Sequence, residues 1–241
     1  MNLFEDFRKI RRAIPNYNFS TLGDRADPRS HDLNLRINID AQNGKRWQER
    51  VPRLPISVSG IILIICLAIF LLSFVAMQFV INYLALIPAF LSERPWTLVT
   101  YMFVHVTFDH LFWNMLFLFF FGIELERRLG EGRFLGLYLI SGIVAALVQI
   151  FFSGHGILLG ASGALYGVMG CLAMIAPHIR ILLFFAIPLR IPYAVILYAL
   201  VDLLMMGSAD NIAHAAHLAG LLVGLVFGYV LRRRPYLYYD I

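Results

Sequence analysis

The sequence has 241 residues, of which 60% are hydrophobic and 15% charged, with a mean hydropathy of +0.74. Soluble domains carry about 25% charged residues, and here the excess apolar content falls in runs, which excludes a soluble globular class and marks an integral membrane protein. The formal charge of +5 follows from loop bias, described below, and implies no nucleic-acid partner.

Residues 1–54 are polar, mixed in charge and rich in Arg and Asn. That pattern does not fit a short cleaved apolar leader, and predicts an N-terminal cytoplasmic tail or small module ahead of a membrane domain over 55–241. A hydrocarbon core of about 30 Å needs roughly 20 apolar residues per helix. The apolar runs predict six spans near 56–78, 106–124, 134–153, 161–177, 190–206 and 212–231. Between the first two lies "QFVINYLALIPAFLSERPWTLVTYMFVH". It is too apolar for an aqueous loop and is expected to lie partly in the interface, with Trp96 and Tyr101 as anchors. The other connections are short. Cys66 and Cys171 sit inside apolar runs and read as packing residues, with no disulfide framework.

Of the 20 Lys and Arg residues, 19 fall in the N-terminal segment, the second-to-third and fourth-to-fifth connections, and the C-terminus. Only Arg94 falls on the other side. Basic residues accumulate on the cytoplasmic side, so both termini are expected there, in agreement with an even number of spans. No repeat pairs the two halves, as it does in many secondary transporters.

Polar groups inside a bilayer are costly and point to function. Three clusters stand out. In "HVTFDHLFWNM", His105 and His110 lead into the second span, and Asn114 shares a helix face with His110 at i, i+4. In "LGASGALYG", Ser162 lies among glycines just after a short connection, so it is expected at a helix N-terminus with Tyr166 on its face. Taken alone, this stretch reads first as ordinary small-residue packing. In "NIAHAAHLAGLLVGLVFG", His214 and His217 open the last span, and Gly220, Gly224 and Gly228 follow at i, i+4. That glycine face admits a close helix neighbour, for which Gly163, Gly167 and Gly170 offer a partner surface. If the two helices touch, His217 comes within reach of Ser162. Its position, roughly 9 Å into the span at 1.5 Å per residue, matches the expected depth of the serine. His110, Asn114 and the Ser162 N–H are candidate donors to an oxyanion. Asp202 falls in the outer half of the fifth span, with nothing to place it near His217. A two-residue Ser/His arrangement is therefore the more economical reading. His214 reads as helix-end packing and His155 as a loop residue.

Taken in order, "HVTFDHLFWNM", "ELERRLGEGRF", "LGASGALYGVMG" and "AHLAGLLVG" resemble the rhomboid intramembrane serine proteases, over roughly Pro95 to Val230. The resemblance implies an all-α, six-transmembrane-helix bundle and a serine-type endopeptidase that cuts transmembrane proteins near the outer membrane face. By the same resemblance, Ser162 is the nucleophile and His217 the general base. His110 and Asn114 help form the oxyanion hole, Gly160 leaves it room, and Tyr166 packs against the imidazole. Glu126 and Arg128 match a polar pair bracing the cytoplasmic end of the second span, and His105 a first-loop histidine. The fifth span and "MGSADN" correspond to a substrate gate and cap. One departure is that Trp96 is followed by Thr97, where the family often has arginine. This bears on how the first loop is held, not on the serine and histidine.

No metal or organic cofactor is expected. A metalloprotease would need His-Glu-x-x-His, and no histidine here precedes a glutamate. An aspartyl protease would need two intramembrane aspartates, and only Asp202 qualifies clearly. A His-lined transporter leaves the serine unexplained, and a non-proteolytic rhomboid-like protein that binds membrane clients would not need the Ser162/His217 pair. The expected partners are transmembrane substrates and lipid. The expected location is a bacterial plasma membrane. Oligomeric state is not encoded in any motif.

Overall fold

The computed structural model describes residues 57–183, 186–208 and 212–233. The segment 1–54, read above as a tail or module, lies outside them, as do residues 209–211 of the expected cap loop. The described residues form a helical membrane bundle. Four helical stretches are long and apolar enough to span: Val58–Leu84, Phe108–Leu129, Glu131–Ser153 and His214–Arg233. Two shorter apolar helices, Ser162–Ile175 and Ile191–Met205, complete the six.

Helix α1 (Val58–Phe79) runs on through a π turn to Leu84. Its first N–H groups have no intrahelical acceptors. Within the helix's own end, Ser57 Oγ accepts the Gly60 N–H at 3.1 Å. The rest come from another span: the Glu126 carboxylate accepts the Val58 N–H at 2.7 Å, the Ser59 N–H at 2.8 Å and the Ser59 hydroxyl at 2.5 Å. Glu126→Ala leaves three buried donors without an acceptor. The expected cost is about 2–3 kcal/mol, read as a lower thermal midpoint in detergent. An unchanged midpoint would mean that water replaces the carboxylate without loss.

The first connection is folded rather than loose. It carries α2 (Thr97–Thr100) between two 3₁₀ turns, Pro88–Phe90 and Tyr101–Phe103. Trp96 is half exposed, and its Nε1 donates to the Tyr83 carbonyl at 2.8 Å, which suits an interfacial anchor. Tyr101 does not: it is 2% exposed and its hydroxyl donates to the Gly142 carbonyl at 2.7 Å. The phenol is core because a buried carbonyl of a neighbouring span satisfies it. The arginine missing after Trp96 has a counterpart in Arg94. Its guanidinium donates to the Asn82 carbonyl and lies 4.8 Å from the ring centres of both Tyr83 and Phe90. Thr97 and Thr100 add hydroxyl bonds of 2.7 Å to the Arg94 and Leu84 carbonyls. The loop is thus held by other means.

The second span is α3 (Phe108–Phe117), a π turn (Leu118–Gly122) and α4 (Ile123–Leu129). It passes the expected end at 124. The charges of "ELERRL" end the apolar pattern but not the helix: Glu124 binds Arg127 at i, i+3 and Arg128 at i, i+4, and Glu126 is taken up by α1. Only Gly130, at φ 78°, separates α4 from α5 (Glu131–Ser153). Ser162–Ile175 forms α6, whose residues Val168, Met169, Cys171 and Leu172 are fully buried. A short antiparallel hairpin, β1 (Arg180–Leu183) and β2 (Ile187–Arg190), pairs Arg180 with Arg190. It occupies the short connection between the expected fourth and fifth spans, and the Ile191 N–H closes it on the Ile179 carbonyl at 2.9 Å. Helices α7 (Ile191–Met205) and α8 (His214–Arg233) follow.

Contact between α6 and α8 is backbone to backbone. A Cβ on Gly220 would overlap the Gly163 carbonyl oxygen, and one on Gly224 the Gly167 carbonyl oxygen. The predicted glycine faces therefore do meet, and without side chains between them the two helices come as near as backbones allow.

Candidate active site

Ser162 is the first residue of α6, and no side chain caps that helix end. Its approach segment is fastened on both sides. Leu158 exchanges two 2.9 Å backbone bonds with Leu86 of the first connection, and the Gly160 N–H donates to the Tyr101 carbonyl at 2.9 Å. Gly160 has φ 108°, a conformation disfavoured for residues with a Cβ, and a Cβ there would come within 2.5 Å of the His110 ring. Next to it, the Ala161 N–H donates to Nε2 of the fully buried His105 at 3.4 Å. Burial, with His110 beside it, pushes the His105 pKa down to about 3. The ring is therefore neutral at ordinary pH, as an accepting Nε2 requires.

On α8, His217 presents Nε2 to Ser162 Oγ at 2.8 Å. The Tyr166 ring stacks on the imidazole, centroids 4.4 Å apart and 12° from parallel, so the plane of the histidine is fixed by packing. The far ring nitrogen is also engaged. Nδ1 lies 2.9 Å from Asp202 Oδ1, and the same oxygen lies 2.6 Å from Nδ1 of His214. The sequence reading missed this aspartate. Helix α7 rises to Met205 and α8 starts again at His214, so a short connection brings both ends to one level. A residue three positions before the end of α7 therefore meets the first turn of α8. That depth match was the available signal. Asp202 and His214 are 3% and 6% exposed, so His214 is more than helix-end packing. Asp202, His214 and His217 are also the residues among those described that could hold a metal ion, with ligand atoms within 4.8 Å of one another.

His110 lies against Gly160, its ring centroid 4.9 Å from that of His105. Asn114 donates one amide N–H to the His110 carbonyl at 2.8 Å. It lines an open-sided cleft of about 240 Å³ with Trp113, Phe117, Ser162, Tyr166 and Tyr198. The cleft draws on α3, α6 and α7 and is largely apolar. Glu126 and Arg128 do not form a pair with each other: Glu126 caps α1, while Arg128 binds Glu124 at 2.6 Å. Two carboxylates at i, i+2 point to different neighbours, and the arginine takes the one on its own face.

Residues 92–234 match the model of the rhomboid domain. The chain is 37% identical over 142 residues to "Rhomboid protein 1, mitochondrial" of Saccharomyces cerevisiae, an alignment covering 54% of this chain and 40% of that protein. It is 34% identical over 144 residues to "RHOMBOID-like protein 1" of Arabidopsis thaliana, covering 60% and 36%. It is 33% identical over 129 residues to "Rhomboid protease GluP" of Bacillus subtilis, covering 54% and 24%. The matched region thus spans less than half the length of these relatives. They come from a mitochondrion, a plant and a bacterium, and give no support to a bacterial plasma membrane in particular. A family model covering more than half of the sequence, laid over a helical membrane bundle with the four motifs in order, leaves one assignment: the chain belongs to the rhomboid family.

Proposed function

We propose that the chain is an intramembrane serine endopeptidase acting through Ser162 and His217. The observation that carries this reading is the 2.8 Å approach of Ser162 Oγ to His217 Nε2, made by two helices that touch through glycine. A general base must lie within about 2.6–3.2 Å of the proton it takes. As Ser162 Oγ bonds to a substrate carbonyl carbon, its proton passes to His217 Nε2 and the carbonyl electrons move to oxygen. The uncapped start of α6 offers the Ser162 N–H to that oxygen, and His110 and Asn114 are the further donors proposed. Gly160 keeps this corner open and Tyr166 holds the imidazole. Return of the proton to the leaving amine breaks the C–N bond, and water hydrolyses the acyl-enzyme. His105, Glu126 and Arg128 serve structure.

The substrates are transmembrane proteins reaching Ser162 from the apolar cleft between α3, α6 and α7. A helical carbonyl is already hydrogen-bonded within its own helix, so small and helix-breaking residues are favoured at the cut. The distribution of basic residues supports cytoplasmic termini and cleavage toward the opposite face. A fluorophosphonate probe tests the nucleophile on the purified chain: Ser162 is expected to be the labelled residue, identified by peptide mass spectrometry, alongside cleavage of a fluorogenic transmembrane peptide. A folded protein that takes no label at Ser162 would remove the protease reading and leave client binding.

A further inference from the structure

The Ser/His pair accounts for one nitrogen of His217 and leaves the other to be explained. That nitrogen, Nδ1, faces a buried carboxylate at 2.9 Å. An ionised carboxylate only accepts hydrogen bonds, so the proton in this contact resides on Nδ1. A neutral imidazole carries one N–H, and Nε2 is then left with its lone pair directed at Ser162 Oγ. The tautomer of a histidine is set by the bond its second nitrogen makes, and here that bond comes from a different helix. Asp202 is itself held: the same Oδ1 accepts from His214 Nδ1 at 2.6 Å, one turn before His217 on α8.

We propose that Asp202 is the positioning residue of the reaction: it holds His217 in the Nδ1–H tautomer, with His214 fixing the carboxylate. The inference rests on the reading of Ser162 and His217 as nucleophile and base. When the Ser162 proton reaches Nε2, the imidazole becomes a cation, with Asp202 beside it as a fixed negative charge. The aspartate keeps its own charge, and Nδ1 keeps its proton throughout. The proton on Nε2 then leaves with the amine. The reacting unit has three members drawn from α6, α7 and α8, where the sequence motifs name only two.

The full chain in detergent, with a fluorogenic transmembrane peptide, tests this. Asp202→Asn and Asp202→Ala are expected to lower kcat by roughly 10²–10⁴-fold, by analogy with loss of the aspartate in serine-protease triads. KM should stay within about twofold, because the residue does not line the cleft. Asp202→Glu should recover at least about tenfold over Asn, and His214→Gln should lose about tenfold. A structural tether would give a different pattern, with the thermal midpoint and the fraction of protein labelled at Ser162 falling together, and that result overturns the proposal. Wild-type kcat in Asp202→Asn overturns it as well. Imidazole nitrogen NMR supplies a readout independent of turnover. His217 is expected with Nδ1 protonated and Nε2 bare in the wild type, and to lose that preference in Asp202→Ala. If the wild type shows this tautomer but neither cleaves nor takes the probe, the protease reading fails while the positioning stands. If it cleaves with the opposite tautomer, the positioning fails alone.

Discussion

Replacing Ser162 with alanine is expected to reduce cleavage of a transmembrane peptide by roughly 10⁴–10⁶-fold, the range seen when a serine nucleophile is removed from a preorganised site. The change deletes one oxygen from a half-buried position. It breaks one hydrogen bond, to His217, and no helix contact. The thermal midpoint should therefore stay near that of the wild type, separating chemistry from folding. His217→Ala should cost about as much, and the double variant no more than either single one, because a nucleophile without its base is as inert as a base without its nucleophile. Additive losses in the double variant would mean that the two residues act separately. Residual turnover in Ser162→Ala at wild-type rate would assign the nucleophile elsewhere.

Gly220→Val is the second large effect expected, and its cause lies in backbone geometry. A Cβ at 220 overlaps the carbonyl of Gly163, the residue directly after the serine. A carbonyl in the first turn of a helix cannot step aside as a flexible side chain can, so α8 must move off α6. His217 lies one turn before Gly220, and the displacement is delivered to the Ser162–His217 distance. A misplacement of about 1 Å is enough for a loss near 10²-fold, with overpacking adding about 1–3 kcal/mol of destabilisation. Gly136→Ala is the control: a Cβ there meets nothing within 4 Å. It should leave kcat/KM unchanged and raise the midpoint slightly, because alanine favours a helix over glycine by up to about 1 kcal/mol. Equal behaviour of the two variants would refute the backbone-contact account.

What could be read in advance follows from periodicity. Tyr166 four residues after Ser162, Asn114 four after His110, and glycines at 220, 224 and 228 each share a helix face by arithmetic, and the fold keeps every one of these relations. The pairing of α6 with α8 followed because glycine faces have few other uses in a membrane. Contacts between elements without such a code stayed hidden. Asp202 reaches His217 across a helix boundary, and its role depends on where α7 stops and α8 starts. Glu126 was expected beside Arg128 at one end of the second span, but its partners are backbone N–H groups of α1, which no side-chain pattern announces. Tyr101 looked like an interfacial aromatic because its acceptor is a main-chain carbonyl 41 residues away. The hairpin between α6 and α7 is too short to impose an alternation distinguishable from a loop.

The cleft beside Ser162 has mostly aromatic walls. The space bounded by Trp113, Asn114, Phe117, Tyr166 and Tyr198 is about 240 Å³. On the proposed protease reading, that lining favours small apolar side chains beside Ser162, with Asn114 the one side-chain amide in it. On the same reading the cleft discriminates by polarity before any chemistry begins.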